Sequence, residues 1–335
     1  MDRSKNIHKS KRVNNRIIYI VGPTSSGKTA LAVHIASIFD CEIISADSRQ
    51  VYKYMNIGTG KDLKEYGKIK YHCIDLVNPK TEFNLVKYIK KAKKAISDIE
   101  SRNKTPLIVG GTGLYIDALI KGYDIENEKI NEKLRKELSS LSKEELQNKL
   151  LKINPKIKDT LNNSDWNNPH RLIRHIERSK SHENIKYVSN ICNTHNNLII
   201  GISVQKEILH KRIHKRIIDR IEKEGMIEEI YNLHHKNKVS WKRLESFGLE
   251  YKFLSQYLRN NNVGSRYIWA KNKNNNLLQQ TINNLSTATN QYAKRQITWF
   301  NKTPELIWLD GSDKNKLYKK TEKLVKDFIN KKDKK

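Results

Sequence analysis

From Arg16 the chain runs through an apolar, β-branched stretch, Ile17-Ile18-Tyr19-Ile20-Val21, then a glycine-containing loop, then helical spacing over residues 29–39. That pattern predicts strand, loop, helix. A second apolar run at 42–45 ends at Asp47, and a third at 106–109 ends in Gly110-Gly111-Thr112-Gly113 before another helical pattern at 114–120. Continuous apolar runs alternating with helices predict a parallel sheet covered on both faces. In such sheets ligands sit beyond the C-terminal ends of the strands.

Residues 124–197 change character. Glu, Lys, Leu and Asn dominate there, and leucines recur at helical spacing (Leu134, Leu138, Leu141, then Leu146 and Leu150), which predicts a helical insertion domain. A return strand is expected at 198–202, a long basic helix from 206 to 233, loops in the Asn-rich stretches 260–262 and 272–276, and a final strand at 305–309. Residues 1–15 read as a basic, disordered tail and 311–335 as a basic, lysine-rich C-terminal tail compatible with a helix. The core is thus expected in two parts, 16–123 and 198–310, the latter carrying a C-terminal RNA-binding segment. No internal repeat is visible.

Composition adds two constraints. Among 335 residues, 65 Lys and Arg against 36 Asp and Glu give a formal charge of +29, which favours a polyanionic partner. A Lys-, Asn- and Ile-rich bias accounts for part of that excess as solvated surface. Cys41, Cys73 and Cys192 lie far apart without a C-x-x-C pair, so neither a disulfide framework nor a cysteine-rich zinc site is expected. No segment approaches the roughly 20 apolar residues of a membrane span, and the charged N-terminus lacks a signal-peptide apolar region. A cytoplasmic protein with no membrane association is expected, with monomer as the default state.

Candidate chemistry begins with Gly22-Pro23-Thr24-Ser25-Ser26-Gly27-Lys28-Thr29, which matches the phosphate-loop pattern G-x-x-x-x-G-K-[ST] between a predicted strand and a predicted helix. Its glycines let backbone N–H groups converge on phosphate oxygens. The helix N-terminus adds positive potential, Lys28 neutralises charge, and Thr29 is placed to hold Mg²⁺. The expected class is α/β: a P-loop NTPase-like parallel sheet flanked by helices. Taken alone, the loop predicts an NTPase or kinase. The strand at 107–109, however, ends in glycines where such enzymes carry an acidic residue, which leaves Asp47 as the alternative.

The ordered set Gly22–Thr29, Ile44-Ser-Ala-Asp-Ser-Arg-Gln-Val-Tyr52, Met55-Asn-Ile-Gly-Thr-Gly-Lys61, His72-Cys-Ile-Asp75, Gly110-Gly-Thr-Gly-Leu-Tyr115 and Gln291-Tyr-Ala-Lys-Arg-Gln-Ile-Thr-Trp-Phe300 resembles the tRNA dimethylallyltransferase family. The matches run in order from residue 17 to about residue 310. The resemblance implies transfer of a dimethylallyl group from dimethylallyl diphosphate to the exocyclic amine of the adenosine 3′ of the anticodon, with a diphosphate in place of a nucleotide on the loop. It implies Asp47 as general base and Thr112 near the reacting centre. Gly22, Thr24, Ser25, Ser26, Gly27, Lys28, Thr29, Arg212 and Arg216 would hold the diphosphate, with Mg²⁺ on Thr29. The anticodon stem-loop of tRNA would meet Asp47, Ser48, Arg49, Gln50, His170, Arg171, Arg174, Lys294, Arg295 and Gln296. Such residues suit splayed single-stranded bases and their phosphates.

Arg212, Arg216 and Arg220 recur every four residues on one basic helix; only the first two match the family pattern, and Trp299 is expected to pack rather than stack. Ser246-Phe247-Gly248-Leu249-Glu250-Tyr251-Lys252 departs from the family's usual Gly-Tyr-Lys or Gly-Tyr-Arg step, and Asn301 replaces a common basic residue. The zinc finger of eukaryotic relatives is absent from the sequence. A small-molecule P-loop kinase, an adenylate isopentenyltransferase and a non-catalytic RNA-binding protein are the rival readings. The insertion and the C-terminal Lys-Arg-Gln block favour the RNA-directed transferase.

Overall fold

The computed structural model describes residues 15–122, 131–181, 195–260 and 276–331. Two compact units emerge, one built from the two ends of the chain and the other from residues Gly122–Asn190.

In the first unit, six strands, β1 (Arg16–Val21), β2 (Cys41–Ser45), β3 (Tyr71–His72), β4 (Thr105–Gly110), β5 (Asn196–Ser203) and β6 (Ile307–Asp310), form one sheet in the order β3-β2-β4-β1-β5-β6. Every pairing is parallel. Ile17 to Val21 are all fully buried because helices cover both faces, so the strands read as unbroken apolar runs rather than alternating ones. Val21 pairs with Gly110 and Gly201, and Ser45 with Val109, which brings the ends of β1, β2 and β4 to one edge. A Cβ on Gly110 would strike the Ala46 carbonyl, so this close approach requires glycine.

The helices of this unit begin with α1 (Lys28–Ile38), α2 (Leu85–Ser101) and α3 (Gly113–Lys121). The periodicity of the second, with Tyr88, Ile89, Ala92, Ile96 and Ile99 buried on one stripe, was not among the sequence expectations. The second unit contains α4 (Glu132–Leu138), α5 (Lys143–Ile153), α6 (Ile157–Thr160), α7 (Asn163–Trp166) and α8 (Pro169–Ser181). Its own core is Leu138, Leu146, Leu150, Leu172, Ile173 and Ile176. Here the leucine spacing corresponds to a packed face, and Ser142 with Glu145 forms a capping box that starts α5.

The chain then continues through α9 (Lys206–Asp219), α10 (Met226–His235), α11 (Trp241–Ser246), α12 (Leu249–Asn260), α13 (Asn276–Phe300) and α14 (Lys314–Asn330). The expected single helix over 206–233 is interrupted. A π-helical turn at Arg220–Glu224 is followed by Gly225 in the left-handed region at φ 84°, and α10 starts at Met226. The lysine-rich tail after 311 is mostly helical, as its composition allowed: α14 buries Leu317, Thr321 and Val325, and His34 Nε2 on α1 meets Glu322 Oε1 at 2.6 Å. Its lysines cover the exposed face of an amphipathic helix. The call of a disordered tail at 1–15 and much of the Asn-rich loops lie outside the described residues, as does Cys192. Cys41 and Cys73 are buried free thiols. No helix among the described residues is long and apolar enough to cross a membrane.

Candidate active site

The loops after β1, β2 and β4 open into a cavity of about 580 Å³ whose wall includes Thr24, Ser25, Lys28, Thr29, Asp47 and Thr112. The loop after β1 turns through positive φ at Gly22 (147°), Ser25 (60°) and Gly27 (90°). Those angles wrap the backbone around a concavity at the N-terminus of α1, where anions are favoured. A Cβ on Gly22 would fall 2.9 Å from the Ile202 carbonyl, so the β5 backbone also demands glycine there. Lys28 Nζ donates to the Pro23 carbonyl at 2.6 Å. Burial, then the Arg216 charge, holds its pKa down at about 7, against an upward pull from Asp47. An ammonium held in that state gains from an incoming anion.

Asp47 sits just past β2. Its Oδ1 accepts from the Arg49 N–H at 2.8 Å and weakly from Gln50 at 3.4 Å, an Asx turn that fixes the carboxylate. From the neighbouring loop, Thr112 Oγ1 accepts from the Ser48 N–H at 3.0 Å, and the Thr112 N–H donates to the Ala46 carbonyl at 3.2 Å. Two adjacent strand ends thereby lock the carboxylate and the hydroxyl into one polar corner. Tyr292 also lines the cavity, and burial pushes its phenol up to about 12.

The remaining wall comes from α13 and the segments around α9 and α12. Thr289, Tyr292, Gln296 and Trp299 line the cavity at spacings of three, four and three, one face of a helix. Gln296 is buried: its Oε1 accepts from the Thr24 N–H and its Nε2 donates to the Gly111 carbonyl, both at 2.8 Å. It therefore ties the first glycine loop to the second. Loop 55–61 is anchored by Glu229, which accepts from the N–H groups of Asn56 and Ile57 at 2.7 Å and of Gly58 at 3.1 Å, and from the Tyr251 hydroxyl at 2.7 Å. Lys61, wholly buried, donates to Tyr52 O, Asn56 Oδ1 and Asp75 Oδ1.

A phosphate-loop cradle thus shares one cavity with a fixed carboxylate and a threonine hydroxyl. A family model described as IPP transferase matches residues 50–303, and one described as isopentenyl transferase matches residues 15–70. The chain belongs to the IPP transferase family. Relatives include tRNA dimethylallyltransferase 2 of Treponema denticola, 42% identical over 287 residues, which is 84% of this chain and 90% of the relative. A crystal structure of the full-length tRNA isopentenylpyrophosphate transferase of Bacillus halodurans is similar at TM-score 0.67 and 30% identity, covering 94% of this chain and 97% of that one. A eukaryotic dimethylallyltransferase acting on tRNA matches at TM-score 0.76 and 26% identity, covering 94% and 79%.

In this IPP transferase, not every residue expected at the site lines the cavity. Arg216 does, 2.6 Å from Asp62. Arg212 does not: its Nη2 donates to the Gly311 carbonyl at 3.2 Å. The physical reason is helical drift. Each four-residue step turns about 40° past a full circle and rises about 6 Å, so the cavity that admits Arg216 faces the next arginine and loses the previous one. Arg220, outside the expected set, is therefore in the wall. Gln50 and Gln296 line it too, but both have their amides committed inside the protein, Gln50 to Ser45 Oγ (2.7 Å) and the Gly60 carbonyl (2.9 Å). They shape the site from within.

Ser48, Arg49 and Arg295 also border the cavity, while Lys294 is exposed outside its lining. Arg49 lies over the Phe247 ring at 5.7 Å, and Arg295 over Tyr292 at 5.9 Å. His170, Arg171 and Arg174 belong to the second unit, on α8; Arg171 Nη1 pairs with Asp165 there at 2.5 Å. Trp299 packs over Gly113 and donates to Asp117 at 3.0 Å, yet is 36% exposed, so it both packs and presents a surface. Sequence reasoning missed Arg220, Glu250 and Tyr292. The four-residue arginine spacing was the available signal for the first; Tyr292 stands within the Gln291–Phe300 block and Glu250 within the Ser246–Lys252 segment, but neither pattern singles out the residue.

Proposed function

We propose that this protein is a tRNA dimethylallyltransferase that uses dimethylallyl diphosphate and alkylates N6 of the adenosine 3′ of the anticodon. The observation that carries the reading is the shared cavity: an anion cradle at the N-terminus of α1 and, in the same space, the fixed Asp47 carboxylate with Thr112 beside it. In this reaction the C1–O bond of the allyl diphosphate breaks with its electron pair leaving on the diphosphate oxygen. The N6 lone pair forms the new C1–N bond, and the proton of the alkylated nitrogen passes to Asp47. The amine becomes strongly acidic as it alkylates, so an ordinary carboxylate suffices as base.

The backbone N–H groups of the glycine loop, Lys28 and Arg216 hold the departing diphosphate and stabilise its growing charge. Oδ1 of Asp47 is committed to the Arg49 amide, which leaves Oδ2 to receive the proton. Thr112 accepts a hydrogen bond from the Ser48 amide, which orients its hydroxyl at the reacting corner. A magnesium ion fits the donor set, since Thr29 offers a hydroxyl oxygen on the cavity wall and hard cations of this kind are bound through oxygen ligands and substrate phosphates. When bound it supplies charge neutralisation to the diphosphate. Arg49 and Arg295 at the border, with the exposed Lys294, provide cations for the RNA backbone.

Incubating the purified protein with unmodified tRNA, dimethylallyl diphosphate and magnesium, followed by nucleoside mass analysis, tests the proposal. One five-carbon unit gained on an adenosine beside the anticodon is expected. Conversion of ATP to ADP with transfer of its terminal phosphoryl group to a small acceptor, and no RNA product, would replace it with the kinase reading.

A further inference from the structure

Arg220 is the least satisfied charge in the cavity wall. Its side chain is only 6% exposed, and its Nη2 is buried without a hydrogen-bond partner. Two carboxylates stand near it, Asp62 at 3.8 Å and Glu250 at 3.9 Å, both beyond hydrogen-bonding distance. Asp62 instead gives its short contact, 2.6 Å, to Arg216. A Cβ built on Gly60 would strike the Nη2 atoms of both Arg216 and Arg220, so the two guanidinium tips converge on one point of the wall. Burying a guanidinium this deeply without closing its hydrogen bonds is costly unless something else supplies the acceptor. Within the described residues nothing does, and Arg220 is one of the residues that line the cavity, with Nη2 itself closed off from solvent in the ligand-free protein.

We propose that Arg220, together with Arg216, forms a second anion-binding pole of the donor site, so that the first glycine loop with Lys28 takes one phosphate and the arginine pair takes the other. Glu250 at the start of α12 is the positioning residue, its largely buried carboxylate attracting the Arg220 guanidinium across 3.9 Å. The inference rests on the diphosphate reading given above and adds a property to it: the site discriminates a diphosphate, which spans both poles, from a monophosphate, which reaches only one. The interruption of the helix assists, because the π-helical turn begins at Arg220 itself and lets that residue be buried at the wall while Lys223, one turn on, stays in solvent with Asp219.

The test is calorimetric titration of inorganic diphosphate and inorganic phosphate, with magnesium, into the full chain and into Arg220→Gln and Lys28→Met. Loss of a charge-assisted, forked contact predicts diphosphate affinity about tenfold to a hundredfold weaker in Arg220→Gln, with phosphate affinity unchanged, so the preference between the two ligands falls by the same factor. The thermal midpoint of the ligand-free variant should equal or exceed that of the parent, because a poorly paired buried charge is removed. A merely structural arginine would give the reverse, a lower midpoint with the preference intact, and would overturn the inference. If Lys28→Met weakens diphosphate binding and Arg220→Gln does not, the second pole is wrong and the donor-site reading survives. If neither does, the donor-site reading falls and takes this one with it. Should Arg220→Gln fail to fold, Arg220→Lys decides: a single ammonium cannot reproduce the fork, so weakened diphosphate binding supports the pole and parental affinity refutes it.

Discussion

Binding of diphosphate should be accompanied by proton uptake at Lys28. In the protein without ligand its pKa is held at about 7, first by burial and then by Arg216. The shift is downward, so the ammonium form dominates below pH 7 and is lost above it. A bound diphosphate restores the charged form by direct attraction. By linkage, binding then takes up about half a proton at this site at pH 7 and about nine-tenths at pH 8. Between pH 6 and pH 8 the Lys28 contribution to affinity should weaken about tenfold. Titration of inorganic diphosphate in buffers of differing protonation enthalpy reads the uptake directly. Because diphosphate itself titrates in this range, the decisive quantity is the difference between the wild-type chain and Lys28→Met. Equal uptake by both proteins at pH 8 would refute the reasoning, since it would mean that Lys28 is already charged in the free protein or is not in contact with the anion.

Asp47→Asn retains an oxygen acceptor for the Arg49 amide, so the turn should survive while the base is lost; transfer should drop on the order of a hundredfold or more, with tRNA and diphosphate affinities near wild type, in single-turnover assays. Gln296→Ala leaves the Thr24 N–H and the Gly111 carbonyl without their partner, and denaturant unfolding should show a loss of about 1–3 kcal/mol, whereas a residue serving only RNA would leave stability unchanged. Gly113→Ala drives a methyl group into the Trp299 ring, 2.4 Å being the distance to Cδ1 that must be relieved. That change should cost about 1–3 kcal/mol in thermal unfolding and alter Trp299 fluorescence.

The sequence by itself determined the layered α/β fold and one wall of the site. Apolar runs such as Ile17–Val21 are local, and the P-loop from Gly22 to Thr29 is a contiguous motif whose function follows from its backbone angles; both are readable without knowing what lies across the cavity. Asp47 and Thr112 were legible for a related reason, each standing at the C-terminal end of a recognisable strand. What the tertiary structure alone decided is which distant groups reach the same space. The choice of Arg216 and Arg220 over Arg212 depends on the rotation of α9 about its axis, set by the burial of Leu209, Ile213 and Ile217. The commitment of Gln296 to the Thr24 and Gly111 backbone depends on how α13 crosses the loops, and that of Gln50 on how loop 55–61 folds back onto β2. A helix was legible in the lysine-rich segment 314–330, but its apolar stripe Leu317, Thr321 and Val325 is thin, so only the packed structure shows that it docks. Sequence specifies local backbone preference and periodicity, whereas the pairing of a charge with its partner is a property of packing between segments that are remote along the chain.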